Sequence, residues 1–186
     1  MVPYPNLLKE LEVTYPNQVW CTDITYLPLA NGQTVYLALL IDVFTRMVRG
    51  WSLERDMSVK LIDQALDKAL AKGHQPEIHH SDQGGQYIAN SYCQRLTGMN
   101  CQISMADRGK PWQNPFIEST IGRIKDEYIL DEELLDFQQA YDHLCHVLDW
   151  GYNHERPHSS LGYLTPAEFE AWYSTEHVKG KQTFST

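Results

Sequence analysis

The sequence predicts an α/β fold in which a mixed sheet is covered by helices. Three strand-like segments follow one another through short turns in the first third of the chain. Helix-like and strand-like segments then alternate, which is typical of α/β domains. With 186 residues and 42% apolar side chains, the chain is large enough to form one continuous hydrophobic core.

The first three strands are predicted to form a meander. Trp20 to Leu27 alternates and is rich in Thr, Ile and aromatic residues, and Pro28 ends it. Asn31-Gly32 predicts a hairpin turn. Thr34 to Asp42 is apolar on both faces and is therefore predicted to be a central strand, and Met47 to Leu53 is the third strand.

The rest of the chain predicts helices alternating with short strands. A helix capped by Ser58 ends near Gly73. Asn114-Pro115 begins another helix, with Asn114 as N-cap and Pro115 at the first helical position. Further strands are predicted at 77–81 and 100–105, and further helices at 91–97 and 136–152. We expect residues 1–16 to be a lead-in, 17–174 the core domain and 175–186 a flexible tail.

Composition excludes several classes of protein. No apolar run approaches the length of a membrane span and residues 1–12 do not resemble a signal peptide, so we expect a cytoplasmic protein with no membrane partner. The four cysteines lack CxxC spacing and are predicted to be reduced thiols. A zinc site is the alternative, with Cys145, His143 and His146, or with His154 and His158, as ligands.

The charge balance argues against a simple DNA-binding module. Lys and Arg number 15 and Asp and Glu 24, which gives a net charge of −9, whereas modules that bind phosphates are usually basic. The acidic surplus is uneven, because the segment from Asp126 to Asp142 contains seven acids and no Lys or Arg. If the protein handles DNA, much of its affinity must come from a part that is absent from this sequence.

Three acids stand out by their positions. Asp23 lies within an otherwise apolar and Thr-rich strand, where a charge is costly unless it is paired or bound to a cation. Asp82 follows a strand, at the edge where α/β sheets favour active sites, and Glu118 lies on the first turn of a helix. Three such carboxylates suit Mg²⁺, and two ions could stabilise both oxygens of a phosphoryl transfer. Taken singly, each acid also has a structural explanation: a polar strand residue, a turn former, and a charge favoured by the helix dipole.

From Asn17 to Phe169 the chain resembles the integrase catalytic core of bacterial insertion-sequence transposases, the DDE superfamily, which is related to retroviral integrases. Asp82 and Glu118 have 35 residues between them, the spacing of the family's Asp-Asp-(35)-Glu signature. The chain departs from the family at Gln113, where an acid is more usual. The resemblance rests on five ordered blocks: WCTDITY at 20–26, HSDQGGQY at 80–87, Glu118 with Lys125 seven residues later, YNHERPH at 152–158, and LGYLTP at 161–166.

This resemblance implies a ribonuclease-H-like fold, a five-stranded mixed sheet flanked by helices. It implies a polynucleotidyl transferase in which Asp23, Asp82 and Glu118 are catalytic and hold Mg²⁺ or Mn²⁺, with two ions in each active site. The reaction would be metal-dependent DNA cleavage and strand transfer, as in DNA integration, recombination and transposition. The partners implied are transposon ends, target DNA and further copies of the chain, while the family's upstream helix-turn-helix region is missing from this sequence.

Four further residues are candidate DNA contacts: Lys125, Asn114, Arg156 and His158. Lys125 resembles the family's basic residue that contacts the terminal DNA, and a lysine supplies a point charge to phosphate. Arg156 and His158 have a structural alternative, in which Arg156 binds helix C-terminal carbonyls. His80 is expected on the same strand face as Asp82, either near the metal or simply packed, and Trp112 either stacks on a base or forms a hydrophobic lid.

Two other functions remain open at this point. A ribonuclease H or another metal-dependent nuclease would share the three carboxylates, but it usually needs a fourth acid. A degenerate core that acts as a dimerisation or regulatory module would need no metal at all.

Overall fold

The computed structural model describes residues 4–182, and the side chains of residues 4–176. Five strands form one sheet in the order β3-β2-β1-β4-β5. The β1–β2 and β2–β3 pairs are antiparallel, and the β1–β4 and β4–β5 pairs are parallel, so the predicted five-stranded mixed sheet is confirmed. The strands are β1 (Val19–Pro28), β2 (Thr34–Asp42), β3 (Val48–Glu54), β4 (Ile78–Ser81) and β5 (Gln102–Met105).

The hairpin between β1 and β2 forms where Asn31-Gly32 predicts it. Gly32 has a φ of +82°, a left-handed conformation that glycine adopts without strain, and Leu29 N–H donates to Gln33 O over 2.8 Å. Strand β2 is buried along nearly its whole length and lies between β1 and β3. Its predicted position as an inner strand is therefore confirmed.

Helices cover both faces of the sheet. The first face packs against α1 (Val59–Leu70) and α2 (Asn90–Gly98), and the second packs against α3 (Pro115–Tyr128) and α4 (Phe137–His146). A π-helical turn (Val147–Gly151) joins α4 to α5 (Tyr152–His154), so the helix predicted over 136–152 is present with an irregular last part. Short 3-10 turns occupy Pro111–Gln113 and Ser159–Leu161.

The structure describes most of the predicted lead-in (1–16) and part of the predicted tail (175–186). Residues 4–16 have no regular secondary structure, but Leu7, Leu8 and Leu11 pack against the core, and Leu7 N–H donates to Ser104 Oγ over 2.9 Å. Helix α6 (Pro166–Gln182) continues well past residue 174. The remainder of the predicted lead-in and tail, 1–3 and 183–186, lies outside the described residues.

A buried ionic network ties the turn after β2 to β3 and α6. Asp42 is fully buried, and one of its oxygens lies 2.8 Å from the Arg49 guanidinium, which also contacts Glu170. Asp42 additionally accepts three backbone N–H bonds, which come from Asn17, Phe44 and Thr45. Asp42 is the last residue of β2 and Arg49 lies in β3, so the network joins these two strands to α6.

The four cysteines are free thiols, as predicted. Two of the candidate zinc ligands have other contacts: the His154 ring stacks on Trp150, and His143 Nε2 lies 2.6 Å from Tyr128 O. Among the described residues, no helix is long and apolar enough to cross a membrane.

Candidate active site

Asp23 and Asp82 lie beside one another at one edge of the sheet. Strands β1 and β4 run parallel, and Cys21 pairs with His80. Continued by two residues, the same register sets Asp23 opposite Asp82, which directly follows β4. Alternation along β1 puts Asp23 on the face of Cys21, which packs with the apolar side of α3.

Asp82 is exposed and is oriented by the chain that turns after it. Its Oδ1 accepts a hydrogen bond from Gly84 N–H over 2.9 Å. A Cβ atom at position 84 would lie 2.9 Å from that same oxygen, which is too close for the carboxylate to stay where it is. Gly84 therefore allows the turn to hold the Asp82 carboxylate in place.

Glu118 reaches the same edge from the first turn of α3, and Asn114 holds the start of that helix. Asn114 Nδ2 donates to Thr22 O over 3.2 Å, on the strand residue next to Asp23. Asn114 is the N-cap residue and Pro115 begins α3, as predicted, although the Asn114 side chain makes no cap bond and its buried Oδ1 has no partner among the described residues. Asn114 thus anchors α3 to β1 beside the three acids.

The pKa of Asp23 depends on its burial and on the charges around it. Burial raises the pKa of Asp23 to about 7; the hydrogen bond from Ile24 N–H opposes this effect, and the nearby carboxylates of Asp82 and Glu118 add to it. Three oxygen-donor side chains of this kind suit a hard divalent cation. Among the described residues, however, no group of three or more His, Cys, Asp or Glu side chains is gathered closely enough to hold a metal ion. Binding would require the exposed Asp82 and Glu118 side chains to turn toward Asp23.

The Asp23 pKa leads to a stability prediction. The folded-state pKa of about 7 exceeds the ordinary value of 3.8, so the ionised carboxylate destabilises the fold increasingly as the pH rises from about 4 to 7. Asp23→Asn should therefore raise the free energy of unfolding at pH 8 by about 2–4 kcal/mol, at about 1.4 kcal/mol per pKa unit, and change it little at pH 4. Urea unfolding in EDTA at both pH values measures this difference.

The matched control for this prediction is Asp126→Asn, which removes an exposed charge from the outer side of α3 and should leave unfolding unchanged at both pH values. Equal stability of wild type and Asp23→Asn at pH 8 would contradict the prediction.

His80 belongs to the packed structure around the site. Its Nδ1 lies 2.8 Å from Ser104 Oγ and its Nε2 lies 3.1 Å from Gln113 O, so both ring nitrogens have protein partners. Burial lowers the His80 pKa to about 4. The packed alternative is therefore confirmed, and the predicted strand faces are too, because His79 points away and contacts Tyr92.

A cavity of about 400 Å³ adjoins Asp82, and its far wall is the loop between β5 and α3. Arg108 and Lys110 line it, and Lys110 pairs with Asp107 over 3.0 Å. Gln113 closes this loop: its Nε2 donates to Asp107 Oδ2, and its Oε1 accepts from Asp107 N–H. The departure from the family at Gln113 thus coincides with an amide that both donates and accepts, which a carboxylate could not do. Trp112 is 67% exposed in the same loop.

The candidate DNA contacts occupy different environments. Lys125 lies on the Glu118 side of α3, with its Nζ 5.0 Å from the centroid of the Tyr26 ring. Arg156 forms a two-pronged ion pair with Glu127 rather than binding helix carbonyls. His158 is only 2% exposed and packs on Tyr152. The assignment of these residues to DNA binding stays a prediction.

The chain is similar to several known proteins. Two Integrase core domain family models match residues 13–111 and 99–166. The transposase for insertion sequence element IS904 of Lactococcus lactis is 38% identical over 91% of this chain and 68% of its own length. Transposase InsF for insertion sequence IS3A of Escherichia coli is 36% identical over 89% of this chain, which spans only 58% of that relative.

Two solved retroviral structures have the same fold. The chain matches a simian T-cell lymphotropic virus intasome with a TM-score of 0.75 and 19% identity, covering 91% of this chain and 59% of the other. It matches the HTLV-2 integrase catalytic core domain in complex with magnesium with a TM-score of 0.66 and 20% identity, covering 83% and 97%. The fold is therefore ribonuclease-H-like, that of integrase catalytic cores. The chain belongs to the integrase core domain family, whose members include insertion-sequence transposases.

Proposed function

We propose that this chain is the catalytic core of a transposase that cuts DNA at transposon ends and joins the freed 3′-hydroxyl to a target phosphodiester. The observation that carries the proposal is that Asp23 and Asp82 are neighbours at one sheet edge, while Asn114 ties the helix of Glu118 to Thr22, the residue before Asp23. Family membership supports it, since the first relatives compared are insertion-sequence transposases.

The three acids would act together as ligands for two Mg²⁺ or Mn²⁺ ions, although their side chains must first converge. Such ions supply stabilisation of the attacking and leaving oxygens of a phosphoryl transfer. Asp23 comes from the interior of β1 and is the most buried of the three, so it would fix the position of the site. Asp82 and Glu118 are exposed and would turn toward Asp23 to complete the set of ligands.

The remaining residues would bind and orient DNA. Lys125 lies two helical turns from Glu118 on the same side of α3, and its ammonium could neutralise a phosphate next to the reacting one. The cavity beside Asp82 is open to solvent along the loop that carries Arg108 and Trp112, so a strand end could enter it. Asn114 would act as a positioning residue, because it ties the helix of Glu118 to the strand of Asp23.

We also propose that the active assembly contains at least two copies, because both transposon ends must be joined to one target. The related HTLV-2 core has been solved in a dimeric and a trimeric form. End recognition would need a part beyond this chain, since the acidic chain spans 58% of InsF.

A branched DNA that imitates the product of strand transfer tests this function without any need for end recognition. By microscopic reversibility, a strand-transfer enzyme should resolve the branch and rejoin the target strand when Mn²⁺ or Mg²⁺ is present, and should do neither in EDTA. A gel that resolves the labelled strands measures both steps. Hydrolysis of RNA in an RNA–DNA hybrid without any joining would instead favour a ribonuclease H, and absence of both reactions together with absence of Mn²⁺ binding in calorimetry would favour a non-enzymatic module.

A further inference from the structure

A second polar cleft lies along α3, and it is separate from the three acids. Its volume is about 260 Å³. Two arginines and four hydroxyl-bearing residues line it: Arg46, Arg123, Ser119, Thr120, Tyr152 and Ser160. We call it the arginine cleft. The two guanidinium groups and the Ser119 and Ser160 hydroxyls can donate to the oxygens of a phosphate group, whereas the Thr120 hydroxyl already donates to Phe116 O.

The arginines of this cleft are not neutralised by the protein. Neither Arg46 nor Arg123 forms an ion pair with any described residue, although acids exceed bases by nine in the sequence. Arg156, close by in the fold, is by contrast neutralised by Glu127. Burial lowers the pKa of Arg46, and Arg123 adds to this effect, whereas Tyr152, Cys21 and Asp42 oppose it.

Arg46 is held in place by its surroundings. Its guanidinium lies over the Phe116 ring, 4.5 Å from the centroid. Its φ of +62° is unusual for a residue other than glycine, and its N–H donates to Asp42 O within the turn that precedes β3. Such a conformation is retained where the surrounding structure enforces it, and it often marks a functional position.

His158 packs behind one wall of the cleft. Both of its ring nitrogens are buried without a partner among the described residues, and its ring packs edge-on against Tyr152, a residue of the cleft wall. Burial first, and then Arg156, Arg123 and Arg46, lower the pKa of His158 to about 4. An anion bound in the cleft would compensate the positive charges that now surround this ring.

The cleft and the three acids lie on opposite flanks of α3. Ile117, Ile121 and Ile124 face the core. Glu118 and Lys125 lie on one side of this apolar stripe, and Ser119 and Arg123 lie on the other, because successive helical residues are about 100° apart. The width of a helix, about 10–12 Å, therefore separates the two sites, which corresponds to roughly three nucleotides along one DNA strand at 3.4 Å each.

We propose that the arginine cleft binds a backbone phosphate of the DNA whose neighbouring segment is held at Asp23, Asp82 and Glu118. This inference rests on the proposed function for the identity of the ligand. The contact is independent of base sequence and needs no metal, because guanidinium and hydroxyl groups supply all of its donors.

The salt dependence of DNA binding tests this inference. Binding of the chain to a fluorescent DNA duplex is measured by anisotropy in EDTA over a range of salt concentrations. For Arg46→Gln with Arg123→Gln, we expect the slope of log affinity against log salt to become less steep by about 0.9 for each phosphate that the protein no longer neutralises, with about a tenfold loss of affinity at low salt. The matched control is Arg55→Gln: Arg55 is exposed, has no ion pair among the described residues, and also lies over a phenylalanine, Phe137, at 4.2 Å.

Two more variants protect the test from a folding artefact. Arg46→Lys with Arg123→Lys keeps both charges and should restore most of the salt slope. Ser160→Asp places a negative charge at the exposed rim of the cleft while every buried side chain stays in place, and it should weaken DNA binding while the thermal unfolding temperature stays the same or rises. The proposal is overturned if the Gln and Asp variants bind DNA as wild type does. It is also overturned if wild type itself shows no salt-dependent binding.

The outcome is separable from that of the proposed function. A normal reversal of strand transfer with an unchanged salt slope in the arginine variants would overturn the cleft alone. A reduced salt slope in a chain that never joins DNA would support the cleft and count against strand transfer.

Discussion

Replacement of Glu118 by Gln, or of Asp82 by Asn, is expected to reduce branch resolution and strand joining at least about 10³-fold. Each substitution preserves shape but removes a negative oxygen ligand, and a loss of about 4 kcal/mol of charge stabilisation in the transition state corresponds to that factor. Because both side chains are exposed, we expect no loss of folding stability. Single-turnover rates with Mn²⁺ in excess, together with calorimetric titration of Mn²⁺, measure the two effects.

Matched surface substitutions separate ligand loss from a general change in charge. Glu133→Gln and Asp126→Asn remove one exposed carboxylate each, on a loop and on the outer side of α3, and should leave the rate within about twofold. If Glu118→Gln or Asp82→Asn joined DNA at close to the wild-type rate, these residues could not be the metal ligands, and the proposed active site would be wrong.

Arg49→Met is expected to destabilise the fold by about 3–5 kcal/mol, because it leaves the buried Asp42 carboxylate, and in part Glu170, without a cation. The methionine keeps much of the volume, so loss of packing contributes little. Urea unfolding at pH 7 gives the free energy, and in a chain of this size the midpoint of thermal unfolding should fall by roughly 10 °C.

An exposed ion pair provides the comparison for this effect. Lys60→Met breaks the pair with Glu54, in which the Lys60 side chain is 66% exposed, and should cost less than about 1 kcal/mol. The two substitutions remove the same charge, so the difference between them reports burial. A cost for Arg49→Met as small as that of Lys60→Met would contradict the account of a buried network.

Most of the fold could be predicted from the sequence because its signals are local. Alternation, the Asn31-Gly32 turn and the apolar run of β2 each lie within ten residues, and the observed bounds of the first three strands differ from the predicted ones by at most one residue. The spacing of Asp82 and Glu118 could also be read directly. The Asp42–Arg49–Glu170 network could not, because its third member is 121 residues from the second and no local pattern joins them.

Side-chain partners were the weakest part of the prediction. Asn114 has the residue type and position of an N-cap, but its side chain makes no cap bond, and its Nδ2 donates to a strand carbonyl 92 residues away. His80 could have faced a metal, but Ser104 and the backbone of Gln113 occupy its nitrogens. The arginine cleft was missed because its lining comes from the turn before β3, from α3 and from the segment around Tyr152, which meet only in the folded chain.

The contact between Asn114 and Thr22 also bears on how this chain tolerates insertions and deletions. Extra residues between Asp107 and Pro111 would enlarge a surface loop and leave α3 anchored as before. One extra residue between Asn114 and Glu118 would rotate Glu118 by about 100° and turn it away from its partners. The short spacing of four residues from the anchor to Glu118 is therefore fixed by helix geometry, whereas a longer loop between Asp107 and Pro111 would leave the direction of Glu118 unchanged.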